Sequence, residues 1–520
     1  MRTIREAVDQ LAAAQPAAPF LLAPEPDVAV TYAQFQATVR TLCGELAAHG
    51  IRPGEVVSYM VPNGISAAGV FLGAMYGGYV VSPVSLLAQD SQIEYTLAHS
   101  GTRIVFAAPE FVDRLRRLAV RAGSRAVIRP TSPDDLGLPA DGSAALPGPA
   151  PDPASPALLM YTSGTTGVPK GALLSHANMI HAGRAVGASL ALTPADRILS
   201  SLPLYHINGQ SIATVSPLVS GGSIVMPHRF SVSQWWTLVE RHRPTWINVV
   251  PTIIAYLING PALTPAQEAA CRGIRFGRCA SAPLPPAMHR AFEERFGIRV
   301  IEAMGLTECA SVAFTNPLDP RARRYGSPGR PLGSEARVVS PEGVILGEGV
   351  AGEIQVRGAN VMQGYYKDPE TTARTVSADG WLATGDLGYR DADGFYFITG
   401  RLKELIIKGG ENIAPREIDE ALLKHPAVLE AAAVGIPDRE YGQEILACVV
   451  LKPGAACAEE ELRAHCLREL GRYKTPKQFR FIAELPKGPS GKVQRLKLVA
   501  GAGRVAGLSG LDGTAARDAG

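Results

Sequence analysis

Apolar and polar positions change rhythm repeatedly along the first 130 residues. Residues 31–48 carry helical spacing behind Thr31, a residue type that caps helix N-termini. Residues 55–61 and 103–106 are short apolar runs of strand type, as is Ala-Leu-Leu-Met-Tyr-Thr at 157–162. Further on, 285–296 has helical spacing with prolines in its first turn and Gly297 just past its end. Residues 299–304 then read as a strand running into Gly305. Alternation of this kind predicts an α/β fold of layered sheets and helices with a largely parallel sheet.

Two stretches interrupt the alternation. No charged residue occurs between Val56 and Gln89. Pro62, Asn63, Gly64, Gly77, Gly78 and Pro83 cut that stretch into pieces shorter than the roughly 20 apolar residues of a membrane span. It therefore predicts a buried helix followed by a buried strand. Residues 129–157 hold eight prolines among small and polar residues and read as a flexible surface connection.

From about 398 the grammar changes to helix at 416–424, strands at 428–435 and 444–451, helix at 459–470 and strand at 478–482. That is a compact α+β unit of a size to fold alone. The expected organisation is a large N-terminal domain at 1–400, a small mobile C-terminal domain at 401–500, and a Gly/Ala-rich tail at 501–520 expected to be disordered.

Composition narrows the function classes. The 520 residues are 46% hydrophobic, with mean hydropathy +0.07, so a large core can be buried. Lys+Arg 51 against Asp+Glu 48 leaves +3, which argues against nucleic-acid binding or a polybasic membrane surface. The seven cysteines form no Cys-x-x-Cys pair and suit a reducing, cytoplasmic compartment. Residues 1–10 are charged with no continuous apolar run behind them, so no secretory leader is expected.

The residues that carry chemistry gather in short segments. Tyr161-Thr162-Ser163-Gly164-Thr165-Thr166-Gly167-Val168-Pro169-Lys170-Gly171 follows a strand and precedes a helical run from Ser175. Its glycines let backbone approach a ligand, its amides and hydroxyls can form an anion nest, and Lys170 adds charge. Phosphate suits it. A Walker A loop needs Gly-Lys-Ser/Thr in succession, and Pro169-Lys170-Gly171 departs from that, which argues against a P-loop kinase or GTPase. Downstream come Gly305-Leu306-Thr307-Glu308, Trp381-Leu382-Ala383-Thr384-Gly385-Asp386, the 400–412 segment with its Gly409-Gly410 pair, and Pro489-Ser490-Gly491-Lys492.

In this order the segments resemble the motifs of the acyl-adenylate-forming superfamily: acyl-CoA synthetases, adenylation domains of peptide synthetases and firefly-type luciferases. The ordering covers essentially the whole chain. The resemblance implies an AMP-forming carboxylate–CoA ligase that uses ATP, Mg2+ and coenzyme A. Thr162 to Gly167 and Lys170 would form its phosphate loop. Thr307 would bond a phosphate, and Glu308 with Thr162 would hold Mg2+, a hard cation that takes oxygen ligands. Ser281-Ala282-Pro283 would line the adenine with Glu302 nearby, and Met304 stands where the family has an adenine-stacking Tyr. Asp386 would hold the ribose, and Arg401 ribose or phosphate. Lys403 would be the hinge, with Gly409 and Gly410 lining the pantetheine tunnel. Arg472 and Lys474 resemble the segment near the CoA phosphates. Lys492 would bridge the substrate carboxylate and the α-phosphate.

Pro203-Leu204-Tyr205-His206-Ile207-Asn208 resembles the family's gate-histidine segment at the acyl pocket. That pocket would also draw on Val249, Pro251, Thr252, Ser281, Gly305 and Ser311. Residues 243–252 and 276–283 look most like ligases for very small, doubly charged acids such as oxalate or malonate. Asn208 and Ser311 stand where oxalyl-CoA synthetases have histidines, and a polar pocket of this kind suits a related anion such as sulfoacetate. Other classes stay open: an adenylating enzyme loading a separate carrier protein, a medium- or long-chain or aromatic acyl-CoA synthetase, or a non-catalytic binding protein. The presence of Lys170, Glu308, Asp386, Arg401 and Lys492 together argues against the last. Monomer and homodimer are both open.

Overall fold

The computed structural model describes residues 1–138, 148–162, 169–487 and 493–502. It divides into two compact units, Met1–Ile398 and a smaller one beginning at Thr399.

Among the described residues, the first unit is built on two large sheets and a smaller antiparallel one. The seven-stranded sheet runs in the order Gly364–Tyr365, Lys170–Ser175, Pro156–Thr162, Val80–Pro83, Val56–Met60, Ile104–Ala107, Val127–Pro130. Its last five strands pair in parallel, and the hairpin at its other end is antiparallel. The nine-stranded sheet has the parallel run Val300–Met304, Phe276–Cys279, Trp246–Val249, Arg197–Leu199, Ser223–Val225, Pro19–Ala23 at its centre. Short antiparallel strands flank both of its ends. The smaller sheet runs Glu335–Val339, Gly352–Arg357, Leu382–Arg390, Tyr396–Arg401. The main apolar core joins helices and strands of both large sheets, and a second cluster lies on the far face of the nine-stranded one.

Local chemistry explains the elements. The helix Tyr32–Ala48 starts at Thr31, whose hydroxyl accepts the Gln34 N–H while the Gln34 side chain accepts the Thr31 N–H. The uncharged stretch forms the buried helix Ile65–Gly77 and the buried strand Val80–Pro83. That helix is apolar all round because it is surrounded. Gly73 lets it approach its neighbour; a Cβ there would lie 2.8 Å from Leu42 Cδ2. No helix among the described residues is long and apolar enough to cross a membrane.

The proline-rich stretch corrects an expectation. Over 129–138 it is docked rather than loose. The Pro133 carbonyl accepts the Ser66 N–H at 2.9 Å, and Leu136 is buried in the core. A Cβ on Gly64 would sit 2.5 Å from that carbonyl. Proline stiffens a chain as readily as it interrupts one, so composition by itself did not separate the two outcomes. Residues 139–147 lie outside the described residues.

The second unit is a sheet of order Glu411–Ile413, Ile406–Lys408, Gly442–Leu451, Val428–Asp438, with Gln478–Phe481 alongside Gly442–Leu451. The helices Pro415–Leu423 and Glu459–Lys474 accompany it, the latter broken at Gly471 (φ +74°). A final helix, Arg495–Ala502, runs past the expected start of the tail at 501; the rest of that tail is outside the described residues.

Candidate active site

The phosphate-loop segment is carried by the hairpin Pro156–Thr162/Lys170–Ser175. Thr162 and Lys170 are register partners at the end where the two strands are connected, and the Thr162 hydroxyl donates to the Lys170 carbonyl at 3.4 Å. Ser163, Gly164, Thr165, Thr166 and Gly167 lie outside the described residues. The hairpin's outer strand pairs with Gly364–Tyr365, placing Tyr365 opposite Ala172. Lys170 Nζ then stands 5.2 Å from the centre of the Tyr365 ring. The Tyr365 hydroxyl donates to Glu308 Oε1 at 2.9 Å. Burial, with the Glu308 carboxylate adding to it, pushes the Tyr365 phenol well up, so it remains a donor at neutral pH. One aromatic side chain thus connects the cation of the first motif to the carboxylate of the second. Sequence reasoning passed over Tyr365 because a lone tyrosine pair far down the chain carries no motif of its own. Beyond the hairpin, Tyr95, His99, Lys170, Tyr366 and Arg374 line a cavity of about 230 Å3.

The second motif leaves the strand Val300–Met304 through Gly305. A Cβ at Gly305 would lie 2.1 Å from the Ser311 carbonyl, so the close approach of backbone requires glycine. Ala310 (φ +51°) and Ser311 (φ +66°) return the chain, and the Ser311 N–H donates to the Leu306 carbonyl at 2.8 Å. Thr307 and Glu308 sit half-buried on this turn. Burial pushes the adjacent Cys309 thiol up to about 12, with the Glu308 and Asp386 carboxylates contributing. Both acidic groups therefore act on the same buried thiol. Asp386 is buried on Leu382–Arg390 after Gly385 (φ +70°), its N–H donating to Thr384 Oγ1 at 3.1 Å. Met304 is half-buried opposite Phe314. Glu302 accepts the Leu284 N–H at 3.1 Å, which ties the Ser281-Ala282-Pro283 segment to the strand.

His206 is half-buried, and a second polar group begins two residues on, at Asn208. Gly209 permits the tight turn there; a Cβ would stand 2.4 Å from the Pro203 carbonyl. The chain then enters a π-helix, Asn208–Val215, a rare form often found at functional sites. Asn208 Nδ2 donates to Ser281 Oγ at 3.0 Å, and Asn248 Nδ2 donates to Asn208 Oδ1 at 3.0 Å. Ser281 is held at φ +76°, an uncommon conformation for a serine. Val249 lies in the apolar cluster on the other face of the sheet. The residue that reaches Asn208 is its neighbour Asn248. Pro251 and Thr252 are half-buried where the next helix begins, and Ser311 is buried.

In the second unit Arg401 is half-buried and Lys403 is exposed on the turn Leu402–Glu404. Gly409 (φ +54°) and Gly410 (φ +87°) make the hairpin turn between Ile406–Lys408 and Glu411–Ile413. Lys408 is buried, paired with Glu444 at 2.6 Å. Lys474 pairs with Glu417 at 2.8 Å. Lys492 lies outside the described residues. The Glu308 carboxylate and the Thr162 hydroxyl are both half-buried oxygen donors, the donor chemistry that Mg2+ would take.

The chain was compared with known proteins. A family model described as AMP-binding enzyme matches residues 8–366, and one described as AMP-binding enzyme C-terminal domain matches 417–492. The chain is 56% identical to a sulfoacetate–CoA ligase of Cupriavidus necator, over 96% of this chain and 99% of that protein. It is 33% identical to an oxalate–CoA ligase of Arabidopsis thaliana, over 86% and 88%. The crystal structure of ATP-bound MatB from Rhodopseudomonas palustris matches with TM-score 0.87 at 29% identity, covering 96% of this chain and 98% of that one.

Proposed function

This chain belongs to the AMP-binding enzyme family, and from that premise we propose that its acid is a small dianion, foremost sulfoacetate. It is an AMP-forming acid–thiol ligase that uses ATP, Mg2+ and coenzyme A. The observation that carries the choice of acid is 56% identity, along nearly the full length of both chains, to a protein that ligates sulfoacetate. The polar chain Asn248–Asn208–Ser281 supports it, since a fatty or aromatic acid would leave those buried groups facing hydrocarbon.

The reaction has two steps. The substrate carboxylate attacks the α-phosphate of ATP, pyrophosphate leaves, and an acyl-adenylate remains. The thiol of CoA then attacks the acyl carbon, and AMP departs. Glu308 and Thr162 would hold Mg2+, which would supply neutralisation of phosphate charge, and the Tyr365 hydroxyl orients the Glu308 carboxylate. Thr307 and the loop 162–167 with Lys170 grip phosphate oxygens, and Asp386 accepts from the ribose hydroxyls. Lys492 offsets charge as the α-phosphate becomes pentacoordinate. Arg401 contacts the nucleotide, Lys403 is the hinge of the second unit, and Gly409 and Gly410 leave room for pantetheine. His206 guards the acyl pocket. The site of action is the cytoplasm, where seven free thiols, six of them buried, persist reduced.

The test is AMP formation from ATP and CoA across sulfoacetate, malonate, oxalate, acetate, benzoate and octanoate. We expect CoA-dependent AMP, with kcat/KM for sulfoacetate at least about 100-fold above that for acetate or octanoate. Preference for octanoate or benzoate would overturn the dianion. Acid-dependent pyrophosphate exchange with no response to CoA would move the acceptor to a carrier protein.

A further inference from the structure

Arg278 stands on Phe276–Cys279, in the middle of the nine-stranded sheet, and is 1% exposed. Neither Nη1 nor Nη2 has a hydrogen-bond partner among the described residues. Burial pushes its guanidinium down to about 10, with the adjacent Cys279 opposing the shift, so it remains charged at neutral pH. A guanidinium buried without a counter-charge is costly, and proteins pair such groups almost without exception.

Register places Arg278 in the fold. It is the Cα partner of Asn248 on the neighbouring strand, roughly 4.8 Å away, and partnered residues share a face. Asn248 leads to Asn208 and Ser281 through bonds of 3.0 Å each. Asn248 Oδ1 also lacks a partner among the described residues. Cys279, one residue on, is on the other face, in the apolar cluster with Val249. The uncompensated cation therefore lies beside the polar chain assigned to the acyl pocket.

We propose that Arg278 is the receptor for the second anionic group of the acid, the sulfonate or second carboxylate, which its two Nη groups bind in a fork. The inference rests on the small-dianion reading above. A guanidinium presents paired donors that match two oxygens of a carboxylate or sulfonate. The same charge works against monoanionic acids, which would lay a methyl or chain against a desolvated cation. The reacting carboxylate is then left to face the nucleotide.

The experiment measures kcat/KM by pyrophosphate exchange for sulfoacetate, malonate, 2-sulfamoylacetate (the same outline without the distal charge) and propionate. Wild type is expected to prefer both dianions. In R278M the ratio of sulfoacetate to propionate should fall at least about 100-fold, while R278K, charged but without the fork, should fall between. R278M should also lose the discrimination between sulfoacetate and 2-sulfamoylacetate. If R278M does not fold, R278Q replaces it and the same ratios decide. A wild type with no preference for dianions sinks the small-dianion reading itself. A wild type that prefers them, with an R278M or R278Q whose ratios are unchanged, overturns this inference alone. Loss of all four acids in parallel would likewise assign Arg278 to structure.

Discussion

Two buried charges in the first unit, fifteen positions apart in sequence, are treated in opposite ways. Glu293, on the helix Pro286–Phe296, is 6% exposed. Its carboxylate accepts the Val300 N–H at 2.7 Å, the Tyr325 hydroxyl at 2.7 Å and Arg299 Nη1 at 3.1 Å, with His289 at 3.4 Å. Burial raises its pKa, but hydrogen bonds from His289, Val300 and Tyr325 outweigh burial and draw it down to about 2. Arg278 is buried more deeply, and neither of its Nη groups has a partner among the described residues. A charge whose partners are all supplied by the chain holds the fold together. A charge whose partners are missing is a candidate to meet a ligand, and the contrast tells the two apart where burial does not.

The comparison can be broken most sharply at Glu293. E293Q leaves the buried Arg323 guanidinium without its counter-charge, and should cost about 3 kcal/mol, read as a lower urea midpoint at constant slope. Its pH dependence has a definite sign. The folded pKa lies below the ordinary 4.5, so the stabilisation is complete above about 4.5 and is lost as pH falls towards about 2. Wild type should therefore lose stability over that window, and E293Q should lose less of it.

Glu308 stands between the two extremes, half-buried with one phenol on it. Y365F removes that donor while keeping the ring beneath Lys170. A charge-assisted bond of this kind is worth about 1.5 kcal/mol, so kcat/KM for ATP should fall roughly tenfold. The melting temperature is expected to move little; a large drop would mean that Tyr365 serves packing.

The smallest effect has the opposite sign. R278M replaces an uncompensated buried cation by an apolar chain of similar length, and should raise stability by about 1 kcal/mol in the absence of substrate. Destabilisation would mean that the chain itself satisfies Arg278 and would place it in the same class as Glu293.

Much of the molecule was legible in its residues. The helix behind Thr31 and the buried helix and strand in the uncharged stretch follow from spacing and caps. Thr307, Glu308 and Asp386 stand out in the sequence because each lies in a contiguous segment. Asn248 was not. Trp246–Val249 is buried at every position, so period gives no sign of which side chain faces which way, and one step separates Val249 in the apolar cluster from Asn248 beside Asn208. Tyr365 was missed for a similar reason: its meaning comes from pairing with Ala172, nearly two hundred residues away.

The order of elements, the family and the residue types available for chemistry can be read along the chain, because these depend on near neighbours. Distant packing was needed to show that Tyr365 joins Lys170 to Glu308, that Pro133 and Leu136 are docked, and that both Nη groups of Arg278 are buried without a partner among the described residues. Those outcomes depend on which distant strand lies alongside and on what each buried polar atom finds within about 3 Å, and partners at that range are set by packing rather than by the local pattern.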